Sequence, residues 1–143
     1  MRIGIANDHR GYKLKKEIIN YFNETGYTYN DYGADSEELT DYVDYAVKLC
    51  KAINNKEIDL GILICGTGIG MSIAANKIKG IICARVTNVN EAKLAREHNM
   101  ANVIALGENT KDVDLVISTF LNTDYSNEER HIRRYNKIKA LEE

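Results

Sequence analysis

A chain of 143 residues can bury one sizeable core, so a single domain over 1–143 is expected. A net charge of −2 and 28% charged residues argue against a general nucleic-acid binder, and no apolar stretch approaches the roughly 20 residues that span a bilayer. The three cysteines, Cys50, Cys65 and Cys83, suit neither a disulfide framework nor a zinc site; the expectation is free thiols in the cytoplasm, with no metal and no leader segment.

Ile3 to Ala6 reads as a first strand. Leu14, Ile18, Ile19 and Phe22 then recur at helical spacing, with Gly26 as the C-terminal cap. Tyr27 to Tyr32 is a weaker strand ending at Gly33, and Asp41 can cap a helix carrying Tyr42, Ala46, Leu49 and Ile53 on one stripe. Leu60 to Cys65 is the strongest strand, continuous and apolar as in a parallel sheet covered on both faces. Ser72 to Ile78 reads as helix, Ile81 to Val86 as strand, Asn90 to His98 as helix and Val103 to Leu106 as strand. A helix bearing Val113, Val116, Ile117, Phe120 and Leu121 follows, and a charged one begins near Asn127. Five βα units predict an open three-layer α/β sandwich, doubly wound around a parallel sheet of about five strands. Such folds place sites beyond the carboxyl ends of their strands, where Asn7-Asp8-His9, Cys65 to Gly70 and Thr87-Asn88 fall.

The stretch Cys65-Gly66-Thr67-Gly68-Ile69-Gly70-Met71 ends the strongest strand with three alternate glycines. It fails the dinucleotide fingerprint: Met71 occupies the place of the last glycine, and the next strand ends Ala84-Arg85-Val86 with no acid for a ribose. It fails the phosphate-loop pattern because no Lys-Ser or Lys-Thr follows, and no arginine closes a cysteine-phosphatase loop. What remains is a cysteine beneath a nest of amides at a helix N-terminus, an environment that favours thiolate. Such a thiolate can act as nucleophile or base, and the amides can stabilise an enediolate oxyanion. On pattern alone the other reading, a buried cysteine chosen for size, stays open.

The segment Ile64-Cys65-Gly66-Thr67-Gly68-Ile69-Gly70-Met71-Ser72-Ile73-Ala74-Ala75-Asn76-Lys77 resembles the central motif of the ribose-5-phosphate isomerase B family, which includes galactose- and allose-6-phosphate isomerases. Asn7-Asp8-His9, Thr40-Asp41-Tyr42, Arg96-Glu97-His98-Asn99 and Arg130-His131 with Arg134 agree with it in order, so the resemblance spans essentially the whole chain. It implies a metal-independent, cofactor-free isomerase of sugar phosphates with a Rossmann-like fold. It also implies a homodimer, or paired dimers as a tetramer, whose active sites draw on both subunits.

By that resemblance Cys65 moves a proton between C1 and C2, Thr67 polarises it, and the amides of Gly66, Gly68, Ile69 and Gly70 hold the enediolate oxygen. His98 opens the sugar ring with Asp8 near the ring oxygens. Tyr42 and Asn99 contact hydroxyls, Asn99 and His98 coming from the neighbouring subunit, and His9, Arg130 and Arg134 bind the phosphate. Read from the residues alone, His98 could be a helix cap and Tyr42 a core residue. Arg130 and Arg134, four apart, share one helical face that could equally be solvated. His131 matches no catalytic position and is expected to be structural or solvated. Cys50 and Cys83 are assigned to packing.

Several positions depart from the family pattern. Asn109 stands where an arginine is frequent, and Arg10 where a small residue is usual; Arg10 is expected to compensate for the missing charge. Ile82, Met100 and Val43 also differ, and Met100 adjoins the ring-opening residues, so it bears on sugar preference: pentose, or a six-carbon phosphate as the alternative. A non-catalytic sugar-phosphate or nucleotide binding module is the alternative of another class.

Overall fold

The computed structural model describes residues 1–142; Glu143, the last residue of the expected domain, lies outside the described residues. In chain order the elements are β1 (Ile3–Asn7), α1 (Tyr12–Thr25), β2 (Tyr29–Asp31), α2 (Tyr42–Asn54), β3 (Leu60–Cys65) and α3 (Ile69–Asn76). They continue with β4 (Cys83–Arg85), α4 (Val89–Glu97), β5 (Val103–Gly107), α5 (Val113–Asn122) and α6 (Glu129–Ala140). The strands form one all-parallel sheet in the order β2-β1-β3-β5-β4.

Alternation along the central strands sorts the core into two layers. Ile5 of β1, Ile62 and Ile64 of β3, and Ile104 and Leu106 of β5 face α1, α4 and α5, where Phe22 and Phe120 are fully buried. Leu63, Cys65, Val103 and Ala105 face the other way, onto Leu49 of α2 and Met71 and Ala75 of α3. Both faces being covered is why β1, β3 and β5 carry unbroken apolar runs. The flanking strands β2 and β4 have only three residues each, shorter than the expected Tyr27–Tyr32 and Ile81–Val86. Each pairs with a single neighbour, and hydrogen bonding to one side holds less of the chain in register.

Two helix starts, those of α3 and α4, differ from expectation, while α2 starts where expected. Helix α3 begins at Ile69 rather than Ser72, because Gly68 takes a left-handed conformation (φ 80°) and turns the chain directly from β3 into the helix. Asp41 occupies the N-cap of α2 without a side-chain capping bond. The N-cap of α4 is Asn88, whose side chain accepts from Glu91 N, while Glu91 accepts from the amide and hydroxyl of Thr87. Thr87 and Asn88 are therefore engaged in capping. Gly26 closes α1 in the left-handed region, as its position implies.

The order β2-β1-β3 puts the topological switch point between β1 and β3: the chain leaves β1 on one side and returns as β3 on the other, with α1 and α2 on opposite faces. The loops after these two strands stand next to each other, tied by a hydrogen bond from Asp8 N to Ile64 O (3.2 Å). Helix α6 lies at the opposite, amino-terminal edge of the sheet. Its Tyr135 packs at a tilt against Tyr125 and lines a cleft with Met1, Asp59, Leu60 and Asn102, residues that lead into β1, β3 and β5.

Candidate active site

Cys65 is the last residue of β3 and is only 4% exposed, yet its sulfur is not in purely apolar surroundings: Gly68 N donates to Sγ at 3.2 Å. Cys50 and Cys83 provide the contrast. Burial pushes both thiols up, Cys50 to about 12, so they remain protonated packing residues, as expected. The loop beyond Cys65 is held from several sides. Thr67 Oγ1 accepts from Ile69 N (3.1 Å) and is directed at the start of α3; the hydrogen bond to Sγ comes from Gly68. The Thr67 carbonyl is pinned by Arg85 Nε (2.9 Å) at the end of β4.

Two glycines make room for side chains from other elements. A Cβ on Gly70 would lie 2.6 Å from the ring of Tyr42, so the phenol at the start of α2 rests on the first turn of α3. Tyr42 is 39% exposed, which places it at the site's surface and not in the core. A Cβ on Gly66 would lie 2.7 Å from Cζ of Arg10, whose guanidinium covers the loop from the β1 side.

The loop after β1 is equally built. Asp8 is buried, and its Oδ1 accepts from Arg10 N (3.0 Å) and Gly11 N (3.1 Å), which fixes the entry into α1. The Nδ1 of His9 accepts from Thr40 N (3.2 Å) while His9 N donates to Thr40 Oγ1 (3.0 Å). An amide can only donate, so the neutral His9 ring carries its proton on Nε2, the nitrogen left for a ligand. Arg10 is paired with Glu108 through two contacts, Nε to Oε2 (3.1 Å) and Nη2 to Oε1 (3.0 Å); Arg10 holds the Glu108 carboxyl below the usual range. His9, Arg10, Lys13, Glu108 and Asn109 line a cleft of about 380 Å³. A wider one of about 570 Å³ runs along α6 beside Ile132 and Arg133 and touches none of these residues.

Thirteen residues were expected at the site, and the fold divides them. Asp8, His9, Tyr42, Cys65, Gly66, Thr67, Gly68, Ile69 and Gly70 gather at the carboxyl edge of the sheet. His98 and Asn99 follow the end of α4, and Arg130 and Arg134 lie on α6, at the amino edge. A strand rises about 3.3 Å per residue, so the four-residue climb from Gly61, level with Val103, to Cys65 alone separates the edges by about 13 Å.

At the amino edge the His98 ring stacks on that of His131, with centroids 4.3 Å apart, and its Nε2 is 3.4 Å from Glu97. His131 is structural: it is 6% exposed and hydrogen-bonded through Nδ1 to Ser126 Oγ (2.6 Å). Burial, with the nearby His98 and Arg130, lowers its pKa and favours the neutral ring. Arg130 pairs with Glu128 and is otherwise exposed. Met100 sits just beyond, in a left-handed conformation (φ 52°), Ile82 packs on the core, and Val43 is exposed in the first turn of α2.

Sequence reasoning missed the supporting contacts: Thr40 to His9, Arg85 to Thr67, Glu108 to Arg10 and Ser126 to His131. Only Thr40 carried a signal, through its place in the Thr40-Asp41-Tyr42 stretch.

A cysteine with an amide donor at a switch point, flanked by an aspartate and a histidine, is the arrangement on which comparison with known proteins bears. The profile of the Ribose/Galactose Isomerase family matches residues 3–138. The chain belongs to this family. The ribose-5-phosphate isomerase B of Escherichia coli K12 is 39% identical over 145 residues, covering 99% of this chain and 97% of that one. The solved ribose-5-phosphate isomerase B of Clostridium thermocellum is 44% identical, with a TM-score of 0.93 over 99% of this chain and 97% of the other. That of Mycoplasma genitalium, solved with bound ribulose-5-phosphate, is 38% identical with a TM-score of 0.90, covering 99% and 95%. Among the described residues no three metal-ligating side chains are grouped, and no helix is long and apolar enough to cross a membrane.

Proposed function

We propose that this chain is an aldose–ketose isomerase that interconverts ribose 5-phosphate and ribulose 5-phosphate through an enediolate, with Cys65 as the base. Family membership and the full-length likeness to ribose-5-phosphate isomerases B support the reaction. The observation that carries the mechanism is the Gly68 amide aimed at Sγ of Cys65, since hydrogen bonding to the charged form stabilises a thiolate. The thiolate takes the C2 proton of the open-chain aldose as the electron pair moves onto O1. The resulting thiol returns the proton to C1, while the hydroxyl proton passes from O2 to O1. The amides of Gly66 and Gly70 stabilise the oxyanion in between, while those of Gly68 and Ile69 are engaged by Cys65 Sγ and Thr67 Oγ1 and hold the loop in shape.

The remaining roles are those the family resemblance implies, and the positions of Tyr42, Asp8 and His9 support them. Tyr42, resting on Gly70, meets a sugar hydroxyl; Asp8 lies toward the ring oxygens; His9 offers its Nε2–H to the phosphate. His98 as ring-opening acid or base, Asn99 on a hydroxyl, and Arg130 and Arg134 on the phosphate stand at the far edge of their own chain. A complete site therefore forms between two copies, the amino edge of one meeting the carboxyl edge of the other. A homodimer holds two such sites, and a tetramer would pair dimers. No metal or cofactor enters the reaction, and three free buried thiols fit a reducing, cytoplasmic setting.

The test is an isomerase assay across ribose 5-phosphate and the allose and galactose 6-phosphates, with and without EDTA. The highest kcat/KM is expected on ribose 5-phosphate and no change with EDTA. A hexose preference would move the substrate, and loss of turnover with EDTA would overturn the metal-free mechanism.

A further inference from the structure

The Arg10–Glu108 pair is arranged so that one cation remains available to a ligand. Glu108 occupies the Nε and Nη2 side of the guanidinium. A guanidinium carries five N–H donors, so both N–H bonds of Nη1 and the second of Nη2 have no partner among the described residues. That free edge lies against the loop after Cys65: a Cβ on Gly66 would be 2.8 Å from Nη1. The pair is not there for stability, because Arg10 is 55% exposed and exposed ion pairs contribute little. Nor does Glu108 simply neutralise Arg10. A two-point contact with a carboxylate fixes the plane of the guanidinium, and a fixed planar fork suits a tetrahedral oxyanion. His9, whose Nε2 is left free by the Thr40 contact, and Lys13 line the same cleft.

We propose that Arg10, held edge-on by Glu108, is the phosphate-binding arginine of the carboxyl-edge half of the site, with Glu108 as its positioning residue. The inference rests on the sugar-phosphate isomerase reading. It explains why Asn109, in the same cleft, needs no charge: the cation reaches the phosphate from the loop after β1. It also accounts for the absence of a side chain at Gly66, where the guanidinium lies.

Arg10→Gln, Arg10→Lys and Glu108→Gln in the full chain test this, with KM and kcat on ribose 5-phosphate and calorimetric titration of inorganic phosphate. Arg10→Gln is expected to raise KM and the phosphate Kd together by about 10–100-fold, the loss of a charge-assisted two-point contact, with kcat within about threefold. Arg10→Lys, a single donor point, recovers only part of this. Glu108→Gln should weaken phosphate by about 2–10-fold because the guanidinium loses its anchor. Unchanged phosphate affinity in Arg10→Gln overturns the proposal. Tighter phosphate binding in Glu108→Gln overturns the positioning role, since it would mean that Glu108 only competes for the cation. The titration needs no turnover: a wild-type chain inactive on every sugar phosphate would end the isomerase reading, and the phosphate Kd would still decide Arg10.

Discussion

The backbone amide of Gly68 stands 3.2 Å from Sγ of Cys65, so the residue that turns β3 into α3 is also the donor to the thiol. One left-handed glycine thus starts the helix and sets a backbone donor on the thiol, so the position of Cys65 and its polar contact come from a single turn of backbone.

If that thiol is the base, Cys65→Ser should lower kcat by about 10²–10⁴-fold, the usual contribution of a positioned base. Serine fits the space, so the fold and substrate binding should persist. Steady-state kinetics with a direct binding measurement checks both; near wild-type kcat would end the assignment.

The separation of Cys65 from His98 predicts complementation. Cys65→Ala and His98→Asn are each expected to be nearly inactive alone. After subunit exchange, mixed dimers hold one intact site, and activity should return to about a quarter of wild type. A mixture as inactive as its parents, with exchange shown independently, would place the whole site within one chain.

Tyr42 and Gly70 should behave as a coupled pair. The Cβ of Gly70→Ala would sit 2.6 Å from the Tyr42 ring and displace it. The expected outcome is a fall in kcat/KM of about tenfold, with a coupling energy of about 0.5–3 kcal/mol in a cycle with Tyr42→Ala. Additive effects would mean that the ring position does not matter.

Met100 holds φ 52°, a conformation unfavourable for residues other than glycine, asparagine and aspartate, and its side chain is 39% exposed. Met100→Asn is therefore expected to stabilise by about 0.5–1 kcal/mol, raising Tm by about 2–4 °C. Thermal unfolding measures this, and a lower Tm would show that the methionine side chain contributes more than the backbone costs.

Much of this protein was legible locally. The unbroken apolar run Leu60–Cys65 declares a strand buried on both faces, the helical stripes declare α1 and α5, and the glycines after Cys65 declare an amide nest. Boundaries at β2, β4 and α3 shifted because edge pairing and the turn at Gly68 decide them, and neither shows in side-chain periodicity. The motifs at Asp8, Cys65 and His98 could likewise be identified without coordinates.

Their grouping could not. Strand order is a long-range property, and only the parallel order β2-β1-β3-β5-β4 sets Asp8 beside Cys65 while sending His98 to the other edge. The sequence by itself determined the buried strand and the cysteine and glycines that end it, because residue type and local spacing are local properties. The chemistry was legible only through the family motif. Tertiary structure decided that one chain holds nine of the expected residues together and strands the other four. It also decided that Arg10 reaches Gly66 across the switch point, a contact with Glu108 spanning 98 residues of chain that no local pattern encodes.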